Sequence, residues 1–283
     1  MNDLKLIVQG PQAALHIAHR VAAIAKANAV VQISEHVFRC DGVLSDEETR
    51  DAVRGACIGA GVDGAFVPAD LSLDQFRVLV MDMDSTLITI ECIDEIADMQ
   101  GLKSEVAEIT EAAMRGELDF RESLLKRVAL LEGLDASALD QVFEQRLKLS
   151  KGAKALLDAV KTAGLRTVLV SGGFTYFTER LQQSLPLDLT RANLLEVSGG
   201  KLTGRVTGEI IDAQAKRRTV EEECAMLGVS TDAAIVIGDG ANDLDMMAVA
   251  GLSVAYRAKP VVQQKASVAL NFSGLDGLLN LFH

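Results

Sequence analysis

Apolar and polar positions in this chain follow two periods that alternate along most of its length. Residues 77–84, Arg-Val-Leu-Val-Met-Asp-Met-Asp, form a compact apolar run that ends in carboxylates. That is the pattern of a buried parallel strand whose C-terminal end faces a ligand. Downstream the motif repeats. A helical period over 153–163 is followed by Gly164 and an apolar run over 165–170. A second over 215–227 leads through Gly228 to a run over 233–237, and a third over 242–250 leads through Gly251 to a run over 252–256. Helices alternating with apolar strands, each helix closed by a glycine, predict an α/β fold with a Rossmann-like parallel sheet covered on both faces. Two segments break the alternation. Residues 86–150 are helical in pattern almost throughout, which predicts a helical cap over about 88–150 inserted after the first strand, and 194–211 reads as a hairpin turning at Gly199-Gly200.

The N-terminal stretch has a pattern of its own. Residues 5–9, 30–39 and 65–67 read as strands, and 13–27 as a helix with Leu15, Ala18, Ala22 and Ala25 on one face. Ser45-Asp-Glu-Glu supplies an N-cap and an acidic first turn for a helix running toward Gly59. The expectation is a small α+β unit, β-α-β-α-β, over residues 1–72, joined by a short polar connection to a second unit over 73–283. Such open-faced sheets occur in small-molecule sensors and dimerisation modules and carry no chemistry by themselves.

Composition narrows the partners. The 283 residues include 28 Lys and Arg against 40 Asp and Glu, a formal charge of −12. The deficit is spread, with six basic against ten acidic residues in 1–75 and 22 against 30 in the rest. Neither half offers the basic face a nucleic-acid partner requires. With no Trp, two Tyr and nine Phe, stacking platforms are scarce and small polar ligands fit better. Cys40, Cys57, Cys92 and Cys224 lie far apart with no C-x-x-C pair, which favours reduced thiols in a cytoplasmic protein. No secretory signal or membrane span is visible, because the most hydrophobic helical stretch carries His16, His19, Arg20 and Lys26.

Three of the strand ends carry polar clusters: Asp82-Met-Asp84-Ser-Thr, Ser171-Gly-Gly173 and Gly238-Asp239-Gly-Ala-Asn242-Asp243, with Lys216 on the helix between the last two. In a parallel sheet these ends converge on one crevice, so Asp82, Asp84, Asp239 and Asp243 crowd together. Four carboxylates need a cation. Oxygen ligands without histidine favour Mg²⁺, which keeps waters and accepts a phosphate oxygen. G-x-S-x-G is absent and no histidine flanks these motifs, which argues against a Ser-His-Asp hydrolase.

The ordered set D-x-D-x-T, S-G-G, lysine and G-D-G-x-N-D resembles the haloacid dehalogenase (HAD) superfamily of aspartate-nucleophile phosphatases over residues 76–283. Within it, Glu91 and the cap run Met114-Arg-Gly-Glu-Leu-Asp-Phe-Arg-Glu-Ser-Leu-Leu-Lys-Arg127 are similar to members that act on O-phosphoserine. The N-terminal unit resembles ACT-type regulatory domains by its order of elements alone. The resemblance implies a Mg²⁺-dependent phosphatase with a HAD-type sheet and helical cap, acting in L-serine synthesis. Its expected form is a possible homodimer with no nucleic-acid or membrane partner.

The residue chemistry agrees with that reading. A carboxylate can attack phosphorus if a cation offsets the repulsion between anions, which makes Asp82 the candidate nucleophile. Asp84 is the candidate general acid, kept protonated by like-charge crowding, and then the base for the attacking water. Lys216, Ser171 and the backbone of Gly172 and Gly173 would hold the phosphoryl group. Asp82, the Asp84 backbone carbonyl and Asp239 would bind the metal, with Asp243 in support. Glu91 and Arg127 answer an ammonium and a carboxylate. By resemblance Asn242 reaches the ligand, and Met114 and Phe120 form an apolar wall. Two alternatives stand beside this reading: transfer of the phosphoryl group to another alcohol such as homoserine, and an amino-acid sensor in which residues 1–70 bind serine and the phosphatase domain is a passive partner.

Overall fold

The computed structural model describes residues 3–114 and 117–283. The N-terminal sheet consists of β1 (Leu4–Gln9), β2 (Ala29–Ser34), β3 (Val37–Asp41) and β4 (Asp63–Pro68), all neighbours antiparallel, in the order β2-β3-β1-β4. The helices Leu15–Ile24 and Glu47–Ala60 supply its core, with Ala18, Val21, Val53 and Cys57 packed against Leu6, Val8 and Phe38. Asp46 caps the second helix, its Oδ1 accepting the Thr49 N–H at 2.9 Å. The single strand expected over 30–39 is a hairpin, so the unit is βαββαβ and not βαβαβ. The turn at Glu35-His36 has no glycine, and a register shift between Gln32 and Ser34 lets the apolar alternation run through it unbroken. Four antiparallel strands in this order fit a ferredoxin-like, ACT-like unit.

The second sheet has seven strands, β5 (Val78–Met81), β6 (Arg166–Phe174), β7 (Leu189–Ser198), β8 (Lys201–Thr207), β9 (Ala234–Gly238), β10 (Leu252–Tyr256) and β11 (Val268–Leu270), in the order β11-β10-β9-β5-β6-β7-β8. Every pair is parallel except β7/β8. That last pair is the hairpin expected at Gly199-Gly200; β7 begins earlier than its pattern indicates because its first half pairs with β6. The period-2 alternation of β5 divides the core. Val78 and Val80 pack with Ala215, Val220 and Cys224 of the helix Ala213–Met226, while Leu79 and Met81 pack on the other face with Leu156, Leu157 and Val160 of the helix Ala153–Thr162. The helix expected over 242–250 is shorter, a turn at Ala241–Asp243 running into Leu244–Met247.

Between β5 and the helix Ala153–Thr162 the described residues form a cap of four α-helices, Cys92–Met99, Lys103–Met114, Phe120–Ala129 and Ser137–Gln145. Their stem is narrow. Ile88 bridges Leu149, the Thr89 N–H donates to the Lys148 carbonyl at 2.9 Å, and the Ser150 N–H donates to the Leu87 carbonyl at 2.9 Å. The two sheets meet through Asp63, whose carboxylate accepts the N–H groups of Asn271 at 2.6 Å, Phe272 at 3.1 Å and Ser273 at 2.8 Å. No described helix is long and apolar enough to cross a membrane.

Candidate active site

β5 lies between β6 and β9, and the chain steps outward from it in opposite directions, so its C-terminal end is a topological switch point. Strand parity places Asp82 on the face of Val78 and Val80, toward the helix Ala213–Met226. Lys216 on that helix is wholly buried and sits 2.8 Å from Asp82 Oδ1 and 2.7 Å from Asp243 Oδ1. Asp82 Oδ1 also accepts the Met83 N–H at 2.8 Å. Past the strand the chain makes a wide turn over Met83–Leu87, with Ser85 at a φ of 56°, a left-handed conformation uncommon for serine. This turn cancels the strand alternation that would have sent Asp84 away from Asp82, and both residues line one cavity. Asp84 Oδ1 accepts the Cys92 N–H at 3.1 Å, which fixes the carboxyl against the start of the cap.

The S-G-G segment closes the opposite wall. Ser171 Oγ accepts the Gly173 N–H at 2.8 Å, which leaves its own proton available to donate. A Cβ on Gly173 would lie 2.6 Å from Asp84 Oδ2 and 3.0 Å from Ser171 Oγ. Gly173→Ala is therefore expected to displace Asp84 and lower kcat about a hundredfold, as sub-ångström misplacement of reacting groups does. Steady-state kinetics on a variant with an unchanged circular dichroism spectrum checks this, and a kcat near the wild-type value would contradict it.

Electrostatics set this site apart from an ordinary acidic surface. Burial, reinforced by Asp243 and Asp239 and opposed by Lys216, pushes the Asp82 carboxyl well above the usual carboxylate range. Burial and then the Asp243 charge push Asp239 up to about 7. Asp84 is likewise pushed up to about 7, by burial first and the Glu91 charge second. Its protonated form therefore owes more to desolvation than to the like-charge crowding expected from the sequence. Burial alone would depress the Lys216 ammonium, but Asp243 and Asp82 more than reverse that.

The carboxylates of Asp82, Asp239 and Asp243 bring oxygens within 4.8 Å of one another, with no nitrogen or sulfur donor among them, a set that could hold a hard metal ion. Asp243 is committed elsewhere. Its Oδ1 meets Lys216, and its Oδ2 accepts the N–H groups of Asp239 at 3.1 Å and Gly240 at 3.0 Å. That leaves Asp82 and Asp239 as the carboxylates that could ligate a metal, while Asp243 holds their loop and the lysine in place.

The cavity, about 810 Å³, is lined by Asp82, Asp84, Glu91, Phe120, Arg127, Gly172, Gly173, Asp239 and Asn242. Ser171, Lys216 and Asp243 are wholly buried directly beside it, Lys216 against Asp82 and Ser171 next to Gly172, both of which line the cavity. Phe120 presses its ring on the S-G-G turn, 2.8 Å from where a Gly172 Cβ would be. Met114 ends the helix Lys103–Met114, and its side chain lies outside the described residues. Two supporting residues were given no role by the sequence: Thr86, although it closes the D-x-D-x-T motif, and Asn193. Thr86 donates to Asp239 Oδ1 at 2.9 Å and ties the first motif to the last. Asn193 on β7 is wholly buried; its Nδ2 donates to the Gly172 carbonyl at 2.8 Å and its Oδ1 accepts the Ile211 N–H at 2.9 Å.

The comparisons agree with this geometry. The haloacid dehalogenase-like hydrolase family matches residues 76–251. A phosphoserine phosphatase from Polaromonas sp. is 55% identical over 217 residues, covering 75% of this chain and 92% of its own length. One from Haemophilus influenzae is 48% identical over 220 residues, covering 78% of this chain and 70% of its own. A crystal structure of a HAD-family hydrolase from Salmonella enterica serovar Typhi superposes with a TM-score of 0.89 at 29% identity over 99% of both chains. That of a probable phosphoserine phosphatase from Vibrio cholerae gives 0.83 at 35% identity, over 99% of this chain and 86% of that one. The chain belongs to the haloacid dehalogenase-like hydrolases and, within them, to the phosphoserine phosphatase family.

Proposed function

We propose that the protein hydrolyses O-phospho-L-serine to L-serine and inorganic phosphate, the closing step of L-serine synthesis. The observation that carries this reading is the one cavity that Asp82 and Asp84 share with Glu91 and Arg127. One end has the chemistry for a phosphoester and the other has the charges for an amino acid. The Arg127 guanidinium takes the substrate carboxylate, Glu91 the ammonium, and Phe120 and Met114 the carbon between them.

Asp82 Oδ2 attacks phosphorus, the bond to the seryl oxygen breaks, and the Asp84 carboxyl gives its proton to that oxygen. The resulting aspartyl phosphate is opened by water, whose proton passes to the Asp84 carboxylate as the phosphorus bond to Asp82 breaks. The Ser171 hydroxyl, the Gly172 backbone and Lys216 stabilise the phosphoryl oxygens, and Asn242 steadies the ligand from the adjoining loop. Asp82, Asp239 and the Asp84 backbone carbonyl would hold Mg²⁺, which when bound offsets the crowded carboxylates and polarises a phosphoryl oxygen.

Phosphate release from a panel of phosphomonoesters tests the substrate, and a preference for sugar phosphates or nucleotides over O-phosphoserine would sink it. Treatment with EDTA is expected to abolish turnover and excess Mg²⁺ to restore it; activity unaffected by the chelator would remove the metal from the scheme. Residues 1–72 form an ACT-like unit in this proposal and 73–283 the phosphatase with its cap at about 88–150. A homodimer through the first unit is supported by its βαββαβ order and tested by sedimentation of the whole chain. The four cysteines are buried free thiols, which fits the reducing cytoplasm.

A further inference from the structure

Two acids stand one turn apart where the chain enters the cap: Glu91, the N-cap of the helix Cys92–Met99, and Asp94 within its first turn. At a spacing of three residues they share a face, and both line the cavity with Arg127. Their situations differ. Glu91 Oε1 accepts a hydrogen bond from the Ser85 hydroxyl at 2.7 Å. Asp94 Oδ1 is shut off from solvent and accepts no hydrogen bond among the described residues. A carboxylate oxygen left in that state costs free energy until a donor arrives. Arg127 does not supply one; its Nε donates to the Ser123 carbonyl at 3.4 Å.

Charge counting gives the character of the missing donor. Two carboxylates face one guanidinium beside the apolar side chains of Ile93, Phe120 and Leu124. This end of the cavity therefore carries a net negative charge before any ligand enters. An amino-acid substrate sets its carboxylate on the arginine and brings an ammonium one carbon away. That ammonium has three donors pointing apart, and a single carboxylate such as Glu91 cannot meet them all.

We propose that Asp94 is a substrate-binding residue that selects for an ammonium group beside the carboxylate: its side chain, which lines the cavity, turns its unpartnered oxygen to accept a hydrogen bond from that ammonium, next to Glu91. The inference rests on the phosphoserine reading above and adds a specificity residue that the four motifs do not contain.

The test compares the wild type with Asp94→Asn and Asp94→Ala on four phosphoesters. These are O-phosphoserine, phosphoethanolamine (ammonium only), 3-phosphoglycerate (hydroxyl in place of the ammonium) and para-nitrophenyl phosphate (neither group). Losing a charge-assisted hydrogen bond is expected to lower kcat/KM for O-phosphoserine about tenfold to a hundredfold, mostly through KM. Phosphoethanolamine should lose the same factor, while 3-phosphoglycerate and para-nitrophenyl phosphate stay level or rise. A loss on 3-phosphoglycerate but not on phosphoethanolamine would assign Asp94 to positioning Arg127 and overturn the proposal. Equal losses on all four would reduce Asp94 to a structural role and overturn it as well. A wild type that leaves O-phosphoserine intact refutes the underlying substrate reading, and is distinguishable because it needs no variant.

Discussion

Asp82→Asn is expected to lower turnover by at least about ten-thousandfold, the scale on which removing a nucleophile acts, and to leave the fold intact. The amide keeps the shape of the carboxyl and can still accept the Met83 N–H, but it cannot form the acyl phosphate. Stability should hold or rise slightly. Burial and the charges of Asp243 and Asp239 all work against an ionised Asp82, and a neutral side chain removes that cost while Lys216 retains Asp243 as its partner. Single-turnover kinetics with ³²P-labelled substrate and thermal unfolding together check this. Full retained activity, or labelled phosphate trapped on the variant, would remove Asp82 from the reaction.

Lys216→Met is expected to fail in a different way. The lysine side chain is wholly buried between Asp82 and Asp243, and deleting one partner of a buried ion pair costs about 3–5 kcal/mol because the remaining charge has no solvent to turn to. For a chain of this size that corresponds to a fall in Tm of roughly 10 °C. Activity should drop about a thousandfold, as when a donor to the developing phosphoryl charge is lost. The two substitutions hit the same ion pair with opposite effects on stability. Calorimetry of both variants separates them, and a Lys216→Met protein as stable as the wild type would show that the carboxylates are relieved by some other group.

Much of this site was legible in the sequence because its chemistry lies at strand ends. A parallel sheet brings such ends together whatever the length of chain between them, so Asp82, Ser171 and Asp239 could be placed in one crevice from three short motifs. The cap was legible through its unbroken helical period. The β2/β3 hairpin was not, because Glu35-His36 carries none of the residues that mark a tight turn. The short strand β11 was missed for a related reason: three residues are too few to show a period. Asn193 stayed hidden, and Thr86 was read as part of the first motif but given no role, because their partners lie 21 and 153 residues away. No local pattern records a hydrogen bond across that distance. The left-handed Ser85 was not foreseen either, although a curl beyond the strand was needed to bring Asp84 beside Asp82.

Asp63 bears on how this chain can be divided. Its carboxylate belongs to the first sheet, yet it satisfies three consecutive backbone N–H groups, those of Asn271, Phe272 and Ser273, in the second. Gln9 adds to the join, donating to the Gly277 carbonyl and accepting from Asn280 Nδ2. Trimming the chain at residue 72 would therefore be more than shortening it. It would strip the acceptor from three amides on the surviving fragment and uncover the surface of β11 that β4 now shields. The catalytic half has been fitted to its companion, and the two are best handled as one piece.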